Sequence, residues 1–215
     1  EVTALNFDSD TGTWTADTAA GAAYTGRAAV LAAGPLANVS WPDIRGLDSY
    51  TGHKIHSARW DHDYDVTGRR VAVVGTGASA VQIIPELVKT AATVKVFQRT
   101  PGWVLPRLDF AHPGWAKELF RRIPASESLA RQAWYWGHEA AAVGMVWDTP
   151  VTSAIQWIAK ATLRRQIRDP WMRRQLTPDF RAGCKRMLMT SAYYPALERE
   201  NCQLITWPIA TIAPN

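Results

Sequence analysis

A short apolar run that ends in a glycine turn constrains this chain more than any other feature. Residues 71–74 read Val-Ala-Val-Val, and residues 75–80 read Gly-Thr-Gly-Ala-Ser-Ala. The pattern is typical of a buried strand that passes through a tight turn into the start of a helix. It fits GxGxxG/A, with alanine in the third small-residue position. The chain is therefore expected to contain an α/β unit that binds a dinucleotide.

Each position of this turn has a physical role in dinucleotide binding. Gly75 permits the turn, Gly77 lets a pyrophosphate approach the main chain, and Ala80 lets helix and strand pack closely. The helix N-terminus offers N–H groups and a partial positive charge to the phosphates. The predicted cofactor-binding residues of this segment are Gly75, Thr76, Gly77, Ala78, Ser79 and Gln82. The alternative is a glycine turn that binds nothing.

The end of the next predicted strand bears on which nucleotide binds. Residues 93–98 are predicted to form the second strand of a βαβ unit, and Arg99 and Thr100 follow it. Proteins that bind NAD place an acidic residue about 20 residues beyond the turn. A guanidinium instead suits a 2′-phosphate, which it can bind through two hydrogen bonds. Arg99 and Thr100 therefore predict NADPH rather than NADH, the alternative being that Arg99 is a solvated charge.

A second pattern lies just before the dinucleotide strand. Tyr50, Gly52, His56 and Trp60 occupy the positions of FxGxxxHxxxW, with tyrosine in place of phenylalanine. A histidine at such a place can donate or accept a hydrogen bond and couple domains that move. Trp60 is expected to be buried and to fix the crossover. For His56 alone a surface histidine is the simpler interpretation, but this spacing before a dinucleotide strand favours a functional one.

The remaining segments fit an α/β fold with an insertion. Residues 2–7 and 13–15 alternate apolar and polar around a turn-rich stretch, which predicts a β-hairpin. A short buried strand is predicted at 28–33. A helix is expected from Ala78, with Pro85 kinking or loosening one turn. Residues 115–176 are helical in pattern and interrupt the α/β alternation, and the strand that returns to the sheet is predicted at 203–206.

Composition excludes several function classes. The 215 residues carry a formal net charge of +5, which is too small to indicate nucleic acid, and no apolar run reaches the length of a membrane span. The arginines of the helical region are expected to form a solvated face.

Cys184 and Cys202 form no CxxC pair, which excludes a disulfide reductase and favours a reducing, cytoplasmic location. Three nearby histidines lack cysteine partners and ligand spacing, so no metal is expected. Most of the eleven tryptophans are expected to be core residues.

These motifs together resemble those of the flavin-dependent Baeyer–Villiger monooxygenases. The glycine turn and the linker pattern occur in the family's order, and residues 98–101 and 193–197 are similar to family segments. Residues 183–186, Gly-Cys-Lys-Arg, match the family's GxKR stretch. The resemblance implies that Lys185 helps to hold the NADP phosphate. It also implies that Arg186 reaches the flavin and stabilises the anionic peroxyflavin, as an always-charged, forked donor would. The alternative is a basic pair on the surface.

The resemblance also implies an activity and two cofactors. The enzyme would use NADPH and FAD to insert one oxygen atom of O2 into a ketone through the peroxyflavin, giving an ester or lactone. Arg186 and His56 are the implied catalytic residues, with His56 in a conformational or cofactor-positioning role. Alternatives are a flavin monooxygenase that oxidises nitrogen or sulfur, and a non-catalytic NADP-binding module. The sequence does not indicate an oligomeric state or a particular ketone.

The domain organisation implied by the resemblance is a Rossmann-like NADP-binding domain with a helical insertion, preceded by part of an FAD-binding Rossmann domain. The family carries two dinucleotide fingerprints, and this chain carries one. We therefore expect an internal fragment that lacks the FAD fingerprint. The expected boundaries are 1–40 for the remnant of the FAD domain with its hairpin, 41–68 for the linker, 69–105 and 181–215 for the two parts of the NADP domain, and 106–180 for the insertion.

Overall fold

The computed structural model describes residues 1–32, 34, 38–107, 111–147 and 149–214. The chain forms two compact units, Glu1–Pro42 and Asp43–Asn215. The described strands are β1 Val2–Asp8, β2 Thr13–Thr18, β3 Ala23–Gly26, β4 Arg70–Val74, β5 Thr93–Phe97, β6 Val104–Leu105, β7 Leu188–Met189 and β8 Cys202–Ile205. The described helices are α1 Ala80–Thr90, α2 Gly114–Arg122, α3 Pro124–Val146, α4 Pro150–Gln166, α5 Pro170–Gln175 and α6 Tyr193–Leu197.

The first unit contains a three-stranded antiparallel sheet in the order β1-β2-β3. In the turn between β1 and β2, the Asp8 carboxylate accepts the Asp10 N–H at 2.8 Å and the Thr11 hydroxyl at 2.7 Å. These bonds, chiefly the one from Thr11, hold the pKa of Asp8 below its ordinary value. The predicted hairpin is confirmed, and the structure adds β3, which the sequence analysis did not identify.

The prediction of a strand at 28–33 is wrong for the residues that the structure describes. Residues 28–32 have no strand conformation, and Val30 and Leu31 are 88% and 84% exposed. An apolar run becomes a strand only when a neighbouring strand supplies hydrogen-bond partners, and none of the described strands pairs with this one. Ala33 lies outside the described residues, and with it the centre of the flavin-side motif at 31–34.

The second unit is built on a parallel sheet in the order β4-β5-β8. Val71 pairs with Val94, and Val96 pairs with Leu204, so the three strands run in register. Helix α1 connects β4 to the parallel β5, which makes the βαβ unit that the glycine pattern predicted. The Rossmann-like fold is confirmed. Because the strands are parallel, the residues that follow all three meet at one edge of the sheet.

Helix α1 packs one apolar face on the sheet. It begins at Ala80, slightly later than predicted, and buries Val81, Ile84, Leu87 and Val88. The core that receives this face includes apolar residues of β5 and of α6. The helix is continuous across the position of the proline, Pro85, which is itself buried. The buried face holds the N-terminus of α1 at the carboxyl edge of the sheet.

The predicted helical insertion is present as α2 to α5, between the strands β6 and β7. The expectation that most of the tryptophans are core residues is wrong: Trp103 is only 3% exposed, but most of the others are exposed. The exposed ones are Trp41, Trp60, Trp115, Trp134, Trp136, Trp147, Trp157, Trp171 and Trp207. The long helix α3 contributes few side chains to a core, so its tryptophans have little to pack against. None of the helices in the described ranges is long and apolar enough to span a bilayer.

Candidate nucleotide site and its surroundings

The glycine turn adopts the geometry that its sequence demands. Gly75 has a φ of 102°, a conformation that residues with a side chain rarely adopt. Its N–H donates to the Phe97 carbonyl at 2.9 Å, which anchors the turn to the adjacent strand. A Cβ built on Gly75 or on Gly77 would meet no atom within 4 Å. The turn is therefore a bare main-chain surface that faces open space.

Helix α1 presents its first turn to this open space. The first helical bond runs from the Val81 N–H to the Gly77 carbonyl at 3.1 Å. The N–H groups before it have no acceptor within the helix, as at any helix start. Ala78 and Ser79 are exposed. Gln82 is also exposed, but its amide nitrogen donates to the Ala78 carbonyl at 2.8 Å, so this side chain folds back on the helix start.

Arg99 and Thr100 lie beside the glycine turn. The Thr76 hydroxyl donates to the Thr100 carbonyl at 3.5 Å, which links the turn to the end of β5. Arg99 is exposed. In the described part of the chain, its guanidinium has no hydrogen-bond or ion-pair partner. The arrangement combines a helix N-terminus and an unpaired guanidinium at one edge of the sheet, which fits a nucleotide that carries an additional phosphate.

Gln98 lies near this site and was expected only as the end of the second strand and the start of the family-like segment 98–101. Its side chain is only 4% exposed, and its amide nitrogen donates to the main-chain carbonyl of Gln175 at 2.8 Å. The amide of Gln175 in turn donates to the Thr206 hydroxyl at 3.1 Å. Gln98 could have been found from the sequence, because it is a polar residue at the end of an apolar strand. Nothing in the sequence indicated its partner, which lies at the end of α5.

A narrow void lies behind the turn, lined by Thr76, Gln98 and two tyrosines among other residues. Tyr193 is 2% exposed, and its hydroxyl has no hydrogen-bond partner among the residues that the structure describes. Burial raises the pKa of Tyr193 and of Tyr194. Both rings belong to the apolar core of the unit. They support the turn from inside and remain protonated at neutral pH.

The basic pair lies just before β7, which pairs with β6. The Lys185 ammonium lies 4.7 Å from the centroid of the Phe180 ring, a cation–π distance. The Trp103 indole donates to the Phe180 carbonyl at 2.8 Å, which fixes the segment under the lysine. Lys185 and Arg186 are both exposed. No contact between described residues joins either side chain to the glycine turn or to Arg99.

The linker pattern forms a compact local structure. The Tyr50 ring lies against Gly52, where a Cβ would overlap it. The His56 Nδ1 accepts the Ala58 N–H at 3.1 Å, so the neutral ring carries its proton on Nε2. Trp60 is 38% exposed. The expectation that Trp60 is buried is therefore wrong in this structure, because the helices and sheet of the unit do not cover it.

The other histidines of the linker make side-chain contacts of their own. His53 Nε2 lies 3.0 Å from the Asp61 carboxylate, and its ring stacks on Tyr64 with 3.9 Å between centroids. His62 is exposed. Among the residues that the structure describes, no three His, Cys, Asp or Glu side chains form a group that could hold a metal ion.

The linker is held by a segment from the other end of the unit. The Ile212 N–H donates to the Arg45 carbonyl at 2.8 Å. The Thr51 N–H and hydroxyl both donate to the Pro214 carbonyl, at 2.8 and 2.7 Å. Residues 211–214 therefore run beside residues 45–51. This contact ties the linker to the segment that follows β8, without a helix or strand of its own.

The model of the flavin-binding monooxygenase-like family matches residues 9–126, and the chain belongs to this family. It is 43% identical over 206 residues to a Baeyer-Villiger monooxygenase of Streptomyces coelicolor, covering 95% of this chain and 39% of that protein. It is 40% identical over 215 residues to a Baeyer-Villiger monooxygenase of Pseudomonas aeruginosa, covering 100% and 41%. The resemblance predicted from the motifs is confirmed, and the chain spans about two fifths of these relatives' length.

Solved structures of similar fold carry nucleotides. A crystal structure of OTEMO in complex with FAD and NADP matches with a TM-score of 0.80 at 27% identity, covering 100% of this chain and 48% of that one. A steroid monooxygenase bound to NADP matches with a TM-score of 0.78 at 28% identity, covering 96% and 46%.

Proposed function

We propose that the protein containing this chain is an NADPH- and FAD-dependent monooxygenase of the Baeyer–Villiger type. Its reaction would consume a ketone, O2, NADPH and a proton, and release an ester or lactone, NADP⁺ and water. The observation that carries the proposal is the glycine turn beside the exposed guanidinium of Arg99, preceded by the linker with His56. The two similar curated proteins named Baeyer-Villiger monooxygenases support the choice of reaction.

We assign the turn at the end of β4 to NADPH. The N–H groups at the start of α1 would bind the pyrophosphate, which the open space at Gly77 admits. The exposed hydroxyl of Ser79 would add a donor. Arg99 and Thr100 would bind the 2′-phosphate, and Lys185 would contribute a second positive charge. Gln82 would have to leave the Ala78 carbonyl to reach the nucleotide.

FAD, when bound, supplies electron acceptance and oxygen activation. The described residues contain one strand–turn–helix unit for a dinucleotide, which the assignment gives to NADPH. We assign Arg186 to the flavin side, where a forked, permanent cation stabilises developing negative charge on oxygen. His56 would orient the linker through its Nε2 proton. The domain boundaries expected from the sequence stay part of this proposal, as does a cytoplasmic location, where NADPH and reduced thiols coexist.

Two measurements on the purified full-length protein test the proposal. The first is the dissociation constant for NADPH and for NADH, with Arg99→Ala expected to weaken NADPH binding about tenfold and to leave NADH binding unchanged. The second is product analysis under ¹⁸O2 with a ketone, a thioether and an amine. One labelled oxygen in an ester supports the proposal. Labelled sulfoxide or N-oxide with no ester would instead make the protein a heteroatom oxygenase.

The alternative of a non-catalytic NADP-binding module has one observation in its favour. The described residues carry a single dinucleotide turn, and Lys185 and Arg186 do not contact it. Visible absorption after incubation with FAD and desalting separates the two proposals. Retained flavin bands support the monooxygenase, whereas NADPH binding without retained flavin in the full-length protein supports the module.

A further inference from the structure

We propose that Gln98 is a positioning residue that sets the preference for NADPH over NADH by fixing the main chain from which Arg99 projects. The inference rests on the proposed binding of the 2′-phosphate by Arg99. It concerns a buried amide that has no contact with the cofactor in that proposal. Hydrogen bonds hold the main chain on both sides of the arginine.

Gln98 is held by its main chain and by its side chain. Its N–H donates to the Ile205 carbonyl at 2.8 Å, which continues the parallel ladder between β5 and β8 by one residue. Its amide nitrogen donates to the Gln175 carbonyl at 2.8 Å. The side chain is 4% exposed, so water does not compete for these bonds. The direction of the main chain entering Arg99 is thereby fixed.

The residue after the arginine is also held. The Thr100 carbonyl accepts the Thr76 hydroxyl at 3.5 Å, from the glycine turn itself. Arg99 thus stands between a tightly bound residue and one tied to the phosphate-binding turn. Its own side chain is exposed and has no polar partner in the described ranges. The position of its guanidinium therefore depends on its main chain rather than on side-chain contacts.

Gln175 extends the link from β5 to the end of β8. Its amide donates to the Thr206 hydroxyl at 3.1 Å, while its carbonyl accepts Gln98. The chain of bonds ties the carboxyl edge of the sheet to the end of α5, in the helical insertion. A long, flexible guanidinium binds a phosphate through two bonds only when its direction is correct. Loss of the Gln98 bond would relax that direction.

The effect would be selective, because NADH has no 2′-phosphate. Misplacement of Arg99 weakens NADPH binding and leaves NADH binding as it was. General damage to the fold would weaken both nucleotides, since the glycine turn binds the phosphates that they share. The ratio of the two affinities therefore distinguishes a positioning role from a structural one.

The test uses Gln98→Met, which removes the donor and keeps the volume. In the full-length protein we expect the dissociation constant for NADPH to rise about fivefold, the range of one lost hydrogen bond. The constant for NADH should stay within about twofold. Gln166→Met is the control, because the amide of Gln166 also donates to a main-chain carbonyl, that of Ser191 at 3.5 Å, and neither residue lines the void behind the turn. It should change neither constant.

A second variant and a double-mutant cycle complete the test. Gln175→Met removes the bond from the Gln175 amide to the Thr206 hydroxyl. It should raise the dissociation constant for NADPH relative to that for NADH, as Gln98→Met does. This variant tests the inference even if Gln98→Met folds poorly. In an Arg99→Ala background, Gln98→Met should have no further effect on NADPH. Equal weakening of both nucleotides, or additive effects in the cycle, would overturn the inference. If Arg99→Ala itself leaves NADPH binding unchanged, the proposed function fails at this site instead.

Discussion

The ring of Tyr50 lies directly against the α-carbon of Gly52, so that the aromatic and the glycine of the linker pattern form one packed unit. The pattern needs a glycine two positions after the aromatic residue, because any side chain at position 52 would occupy the space of the ring. The same residues open the segment that carries His56. The conformation of the linker therefore depends on a contact between its own residues, which needs no bound ligand.

Gly52→Ala should lower the free energy of unfolding by about 1–2 kcal/mol, because the new Cβ displaces the Tyr50 ring. The ring is the end of a rotatable side chain and can move, so the cost stays moderate. The matched comparison is the same change in a Tyr50→Ala background, where it should cost almost nothing. Urea denaturation measures all four proteins. Equal costs in both backgrounds would contradict the contact.

Gly46→Ala should be more damaging. Gly46 has a φ of 88°, and a Cβ there would overlap the main chain of Ile212, which has no freedom to rotate away. We expect a loss of about 3 kcal/mol or more. Gly12→Ala is the control, because its φ is 66° and nothing lies near it. That control isolates backbone strain, expected at about 1 kcal/mol. Similar losses of unfolding free energy from Gly46→Ala and Gly12→Ala would mean that the main chain of Ile212 moves aside at little cost.

Gly77→Ala should separate binding from folding. A Cβ at Gly77 meets no protein atom within 4 Å, so the unfolding temperature should not fall. The methyl group would occupy the path of the pyrophosphate, and NADPH affinity should drop at least about tenfold. Gly137→Ala, also in open space, should affect neither nucleotide binding nor stability adversely. Calorimetric titration against NADPH checks both variants, and undiminished affinity of Gly77→Ala would place the phosphates elsewhere.

Arg186→Ala should abolish oxygenated product while NADPH binding survives, if the guanidinium acts on the flavin side. Arg186→Lys keeps the charge and loses the fork, so it should recover only part of the product. The measurements are ester formation by gas chromatography and NADPH affinity by titration. Arg181 is an unsuitable control, since it donates to the Met145 carbonyl, so Arg174→Ala on the exposed face of α5 serves instead. Full product from Arg186→Ala would exclude the role.

Stability should fall in alkaline solution. Burial raises the pKa of the Cys202 thiol from 9.0 to about 11, and it raises the pKa of Tyr194 as well. The folded protein then holds these protons more tightly than the unfolded chain. The contribution of Cys202 is complete below about pH 9 and is lost as the pH rises through about 11, and that of Tyr194 is lost at still higher pH. Cys202→Ala should flatten the fall in unfolding temperature, and Cys184→Ala, at an exposed thiol, should leave it unchanged.

The sequence predicted the parts of the fold whose signals are local. The run before Gly75, the apolar face of α1 and the strand β5 each follow from short patterns. The requirement for a positive φ explains why a glycine stands at position 75. The helical insertion was predicted in the same way. These elements place the glycine turn at the carboxyl edge of the sheet, which is why its position in the fold could be predicted without a structure.

The rest depends on contacts between distant residues. Gln98 reaches Gln175 across 77 positions of the chain, and no spacing rule connects the two. The strand predicted at 28–33 failed because an apolar run does not reveal whether a neighbour exists to pair with it. Trp60 has the composition of a core residue and is nevertheless 38% exposed. Burial is a property of the surroundings, which a single sequence does not contain.

The bonds between residues 45–51 and residues 211–214 impose an order on biosynthesis. Thr51 leaves the ribosome 163 residues before its partner Pro214. During translation the histidine-containing segment therefore lacks this contact until the sheet and the helical insertion have been synthesised. Closing so long a loop is slow and comes late. A nascent chain arrested before position 211 should expose this segment to protease, and emergence of residues 211–214 from the ribosome should protect it.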